Sequence, residues 1–193
     1  MANELDGKKI AIIAADGVEE IELTDPRKAV EDAGAETVLL SIDEGEIQSM
    51  NGDINKSETY AVDGKVADAN VDDYAGVILP GGVANPDNLR VEEDVIKFLQ
   101  DFAKTGKPIG VICHGPWTLV EADLVRDRTI TSFPSIKTDI VNAGGNWVDE
   151  EVVVDQGLVS SRDPDDLPAF CAKIVEEFAE GEHEVADAGA TAS

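Results

Sequence analysis

The chain has 193 residues, 42% of them hydrophobic, which suits one ordinary domain with a sizeable core and excludes global disorder. Asp and Glu number 41 against 15 Lys and Arg, a formal net charge of −26 dispersed along the whole length. Such a field repels phosphate backbones and anionic lipid, so neither nucleic acid nor a membrane is expected as a partner. The dispersed acids instead suggest a halophilic surface, suited to salt that screens self-repulsion. Two cysteines, Cys113 and Cys171, make no disulfide framework. No basic-then-apolar leader opens the sequence, and no apolar run approaches the roughly 20 residues needed to span a bilayer. The expectation is a soluble cytoplasmic protein with free thiols.

Residues 8–14 (KKIAIIA) read as a buried strand. A helix is expected over 24–33, capped by Thr24 or Asp25, with Pro26 in its first turn and Gly34 as its stop. A second strand covers 36–42, so the first unit is a β-α-β crossover with parallel strands. The polar stretch 43–74 lacks helical periodicity and reads as irregular or edge-strand structure, with Asn51-Gly52 and Asp63-Gly64 as hairpin turns. Residues 75–82 form a buried strand running into two glycines. An amphipathic helix follows over 91–106, with Val91, Val95, Phe98, Leu99 and Phe102 on one face. Residues 108–113 are the next buried strand, leading directly into a helix over 114–124. A short strand (129–132), a helix (135–145), two strands turning at Gln156-Gly157 (147–162) and a last helix (167–181) complete the pattern. Residues 1–183 make a single α/β domain of three layers, and 184–193 read as a disordered tail.

In open parallel sheets ligands gather beyond the carboxyl ends of the strands. Three such ends carry chemistry: the loop after the first strand with Asp16, Glu19, Glu20 and Glu22, the Gly81-Gly82 loop running to Asp87, and Cys113-His114-Gly115-Pro116. Cys113 sits at an abrupt strand-to-helix turn, where a helix start favours its thiolate. The turn resembles a nucleophile elbow, although Val111 stands where a strict elbow has glycine. Cys171 lies mid-helix among apolar neighbours and reads as packing. His114 is placed either to polarise the thiol or to cap a turn, and His183 reads as solvated. Two histidines and two cysteines so placed give no zinc-ligand spacing, so no metal or other cofactor is expected. One carboxyl beside Cys113 would stay protonated and donate to the sulfur, and the residues alone leave Glu19, Glu20 and Glu22 equal for that role. Gly81-Gly82 is either a plain tight turn or a bare backbone offering an N–H to an oxyanion.

The motifs GG-x-x-x-P-D after one strand, C-H-G-P after the next, and V-E-E-I-E-L after the first resemble the PfpI/ThiJ family of class I glutamine-amidotransferase-like proteins. Segments 132–154 and 158–170 look like its bacterial and archaeal stress-protein branch, and the similarity runs over roughly 8–178. The resemblance implies a flavodoxin-like sandwich with a mostly parallel sheet and helices on both faces. It puts the catalytic cysteine on Cys113, its histidine on His114 and the thiol's acid on Glu19. It implies a homo-oligomer, dimer or hexamer, in which Asp87, standing where the peptidases carry the longer Glu, reaches the histidine of an adjacent subunit. Backbone N–H groups of Gly82 and His114 would bind an oxyanion. The implied activity is a cofactor-free cysteine hydrolase or lyase acting on methylglyoxal or methylglyoxal-modified proteins. A cysteine peptidase is the alternative reading, and a redox-responsive or chaperone-like protein with Cys113 as its oxidation sensor is the rival of a different class.

Overall fold

The computed structural model describes residues 4–183; the expected tail at 184–193 lies outside the described residues. Twelve strands and six helices follow one another: β1 (Lys9–Ile13), β2 (Val18–Glu19), α1 (Glu20–Asp32), β3 (Glu36–Ser41), β4 (Glu46–Asn51), β5 (Asn55–Ala61), β6 (Gly64–Lys65), β7 (Gly76–Leu79), α2 (Ala84–Leu89), α3 (Glu93–Ala103), β8 (Ile109–Ile112), α4 (Pro116–Glu121), β9 (Thr129–Ile130), α5 (Lys137–Asn142), β10 (Asn146–Trp147), β11 (Val152–Asp155), β12 (Leu158–Ser161) and α6 (Leu167–Glu180). Seven strands form the central sheet in the order β11-β12-β8-β7-β1-β3-β6. All its pairings are parallel except β11 with β12, which turn back on each other at Gln156 and Gly157, both with positive φ.

The apolar strands are buried on both faces, and their alternation sorts the core into two layers. Ala11, Ile13, Val77, Leu79 and Val111 face α3 and its neighbours, meeting Phe98, Leu99 and Phe102. Ile10, Ile12, Ile78, Ile112 and Val159 face α1 and α6, meeting Leu23, Val30, Phe170, Ile174 and Phe178. Helix α6 lies close on the sheet because Gly76 and Gly110 carry no side chain. A Cβ on Gly110 would stand 2.7 Å from Ile174, and one on Gly76 would stand 3.1 Å from the Phe178 ring. The three-layer α/β sandwich expected from the sequence is present.

Several local expectations fail. Helix α1 starts at Glu20, four residues earlier than expected, so Pro26 falls inside it; lacking an N–H, it leaves the Glu22 carbonyl without its helical donor. Asp63-Gly64 is no hairpin turn, since Gly64 opens edge strand β6 beside β3. The other expected turn, Asn51-Gly52, does close a hairpin, β4 with β5, whose tip is Gly52-Asp53-Ile54. The chain after Gly82 is no loop but the short helix α2. Helix α3 starts at Glu93, which leaves Val91 off its apolar face and 74% exposed.

Candidate active site

The carboxyl ends of β1, β7 and β8 meet at one place, as the parallel order requires. Cys113 directly follows β8 with φ +62°, a left-handed conformation that non-glycine side chains rarely adopt. Its N–H donates to the Ser161 carbonyl and its own carbonyl accepts from Phe133, so the strained residue is held from both sides. Two residues on, a Cβ at Gly115 would stand 2.8 Å from the Leu79 carbonyl and 2.9 Å from that of Ile112. The turn is therefore sharp enough to need glycine, and it aims Sγ out of the strand. Gly81 approaches it just as closely, and Gly82 packs on the loop after β1. A Cβ on Gly81 would meet the Cys113 side chain at 2.6 Å, and one on Gly82, whose φ is +80°, would meet the Gly17 carbonyl at 2.4 Å. The backbone N–H groups of Gly82 and His114 lie near the sulfur and favour its anionic form.

The three acids left equal by the sequence have separate tasks. Glu20 accepts from Ser57 and Tyr60 at 2.5 and 2.8 Å, which holds its carboxyl below the usual range and ties α1 to the stem of the β4-β5 hairpin. Glu19 accepts from the N–H groups of Gly52 and Asp53, both at 3.0 Å, and so grips the tip of the same hairpin. Glu22 alone turns inward. It is fully buried, its Oε2 accepts the Gly81 N–H at 2.9 Å, and its carboxyl interacts with the Cys113 thiol. The acid beside the sulfur is Glu22, not the Glu19 that the family resemblance implied. Residue register explains the difference: once α1 begins at Glu20, positions 22, 26 and 30 share its buried face, whereas Glu19 precedes the helix.

Burial pushes the Glu22 carboxyl up to about 8, against the lowering effect of its contacts with Cys113 and Gly81. Glu22 is thus neutral at pH 7. Its Oε2 accepts from Gly81, and its Oε1 is buried without a hydrogen-bond partner among the described residues. The Cys113 thiol is itself raised, first by burial and then by the negative charge Glu22 would carry, against the two backbone donors. This reverses the expectation of a thiolate favoured by a helix start. Helix α4 has only six residues and opens on Pro116, which has no N–H to offer. Cys171 is also raised, to about 12, by burial.

His114 packs between Phe133, stacked at 4.7 Å, and Trp117. Its Nδ1 lies 3.2 Å from Cys113 Sγ and its Nε2 lies 2.9 Å from Ser135 Oγ. Burial lowers its pKa, with the Asp53 carboxylate working the other way, so the ring is neutral. Asp53 comes from the hairpin tip and also accepts the Val83 N–H at 2.8 Å. Asp87 stands apart, exposed on α2, and the His114 ring nitrogens are engaged by Cys113 and Ser135 rather than by it. Of the residues singled out in the sequence, the structure thus brings together Cys113, His114, Gly82 and the acidic loop after β1. Sequence reasoning missed Asp53 and Ser135, which no spacing signal singles out. His183, expected to be solvated, is half-buried at the opposite end of the sheet.

Residues 8–177 match the family model described as the DJ-1/PfpI family. The chain belongs to the DJ-1/PfpI family. A Bacillus subtilis relative named "Putative cysteine protease YraA" is 40% identical over 164 residues, covering 84% of this chain and 94% of its own. A Pyrococcus abyssi relative named as a deglycase is 38% identical over 167 residues, covering 86% and 97%. Among solved structures, an Anabaena variabilis protein with DJ-1/ThiJ/PfpI-like and ferritin-like domains superposes with a TM-score of 0.84 at 32% identity. That match covers 95% of this chain and 52% of the two-domain chain, so this chain spans about half of it. The DJ-1/PfpI assignment agrees with the mostly parallel sheet and the Cys-His turn at the end of β8. Among the described residues no helix is long and apolar enough to cross a membrane.

Proposed function

We propose that this DJ-1/PfpI protein is a cysteine-dependent hydrolase or lyase acting on methylglyoxal or on methylglyoxal adducts of proteins. The observation that carries the reading is the buried, neutral Glu22 facing Cys113, with a neutral His114 on the sulfur's other side. A small aldehyde is attacked at its carbonyl carbon by Sγ while His114 Nδ1 takes the thiol proton. The carbonyl oxygen, gaining the electron pair, is met by the N–H groups of Gly82 and His114. The product is a hemithioacetal. Moving the proton from the former aldehyde carbon to the adjacent ketone carbon gives a thioester of the hydroxy acid, and water releases the acid and regenerates the thiol. For that transfer His114, neutral again once it has returned the thiol proton to the oxyanion, takes the carbon-bound proton while neutral Glu22 protonates the ketone oxygen. His114 then protonates the second carbon of the enediol as the first carbon's hydroxyl returns its proton to Glu22. Asp87 is proposed to contribute only across a subunit boundary. The deglycase name of the Pyrococcus relative supports the aldehyde reading, and the protease name of the Bacillus relative keeps a peptidase as its competitor. Steady-state assay with methylglyoxal, beside a casein control and a Cys113→Ser blank, separates them. Turnover of casein without turnover of the aldehyde would reject the proposal. The two backbone N–H groups and the neutral Glu22 carboxyl around the sulfur favour a second reading, in which peroxide converts Cys113 to a stable sulfinate. A defined oxidised state that gains a function, with no turnover in the reduced state, would select it.

A further inference from the structure

We propose that Glu177, Glu180 and His183 form a binding site for a zinc-class divalent metal ion, clamping the end of α6 to the end of the sheet opposite Cys113. The two glutamates are one helical turn apart on α6, so both point to the same side. Gly181, with φ +90°, ends the helix and turns the chain back. His183 is then fixed by its N–H, which donates to the Gly106 carbonyl at 2.8 Å, and its ring lies over Gly157, where a Cβ would stand 2.7 Å from it. One ligand atom from each of the three side chains lies within 4.8 Å of the other two.

Glu177 is only 6% exposed, and its Oε2 has no hydrogen-bond partner among the described residues; nor does His183 Nε2. The two atoms nevertheless stand 3.2 Å apart. Two buried, lone-pair-bearing atoms facing each other without a well-aimed proton are costly. A hydrogen bond would need the oxygen near the axis of the ring N–H. A metal bound to both atoms needs it off that axis: bonds of about 2.05 Å to ligands at this separation subtend roughly 100°, between octahedral and tetrahedral angles. Two carboxylates and one imidazole are the donor set of a zinc-class ion rather than of calcium or magnesium. The exposed Glu180 supplies the way in, and a fourth position is left for water. The net charge of −26 draws cations to the molecule. The site lies before β8 and the thiol after it, so the ion would fasten the fold without joining the chemistry.

The test is calorimetric titration of Zn2+ into the chelator-treated full chain carrying Cys113→Ser and Cys171→Ser, which removes both thiols as competitors. Saturation at one ion per chain is expected, with at least a tenfold loss of affinity in His183→Ala and in Glu177→Gln. Co2+ in the same protein should give visible absorption bands that His183→Ala abolishes, and Zn2+ should raise the melting temperature of the parent but not of that variant. His183 lies beyond the helix, so its truncation leaves the core packing intact. Absence of saturable binding, equal displacement by Ca2+, or unchanged affinity in His183→Ala would overturn the proposal. So would a His183→Ala destabilisation that is the same with and without Zn2+, which would assign the contact to an ion pair alone.

Discussion

At the scale of single residues, the contrast between Cys113 and Cys171 is one of surroundings, since burial raises both thiols. Only Cys113 has donors and a proton carrier around its sulfur. Cys113→Ser should therefore lower methylglyoxal turnover by about a thousandfold or more, while Cys171→Ser stays within about threefold. Equal losses at matched folding would sink the assignment. The acids give a sharper test. Glu22→Gln removes the transferable proton and should cost about a hundredfold or more, with a smaller loss for Glu19→Gln, which touches only the hairpin tip. A larger loss in Glu19→Gln would restore the assignment that the family motif implied. The pH signs follow from the raised carboxyl. Activity that needs neutral Glu22 falls as pH rises through about 8, and the Glu22→Gln profile loses that limb. Between pH 4.5 and about 8 the folded state holds a proton that the unfolded chain releases, so this residue makes stability fall as pH rises through that window. Denaturant unfolding at pH 5 and pH 9 should show Glu22→Gln gaining on the parent at the alkaline end, by on the order of a few kcal/mol. The residues alone left this one a candidate among three, because the expected helix start at 24–25 hid the 22-26-30 face, and the family motif then pointed to Glu19.

At the scale of elements, legibility tracked hydrophobic pattern. The strands at 9–13, 76–79 and 109–112 are apolar runs buried along nearly their whole length, and 36–41 is buried in its second half, so all four could be read directly from the chain. Of the β4-β5 hairpin only the Asn51-Gly52 turn could be read; its strands could not, because they lie outside the central sheet and much of them is exposed, leaving little apolar alternation to see. What holds that hairpin is polar: Glu20 grips its stem and Glu19 its tip. The tip in turn sets Asp53 near His114 and on the Val83 N–H, beside the proposed oxyanion donor Gly82. Long-range bonds of this kind carry no periodic signature, so Asp53 and Ser135 stayed invisible. Glu19→Ala should free the tip without unfolding the domain. Hydrogen exchange at Gly52 and Asp53 should then quicken at least tenfold, while the amides of β7 and β8 keep their protection. Unchanged exchange at those two amides would show that the tip is held by something other than Glu19.

For the whole molecule, the acid excess far exceeds the basic groups available, and the ion pairs that do form are mostly exposed ones of small individual worth. Repulsion among the remaining carboxylates opposes the folded state, and opposes still more the joining of two chains. The surface nonetheless offers an apolar contact beside the site: Ile54 at the hairpin tip is 81% exposed, and Val83, bonded to the adjacent Asp53, is 40% exposed. A homo-oligomer formed over this face would cover the entrance to Cys113 and bring a second chain's residues to it, which is how Asp87 would act on His114. Salt decides between attraction and repulsion here, since the Debye length shrinks from about 30 Å at ~0.01 M to about 3 Å at ~1 M. We expect sedimentation across that range to show the chain associating as salt rises, with melting temperature and turnover rising together. Ile54→Asp should shift the association to higher salt, because it adds charge to the apolar contact. Asp87→Ala should leave association intact and lower turnover if the carboxylate works across the interface. A monomer fully active in dilute buffer would refute both the interface and the adaptation to salt. Full activity in an intact Asp87→Ala oligomer would remove Asp87 alone, leaving Cys113, His114 and Glu22 as a self-sufficient centre within one chain.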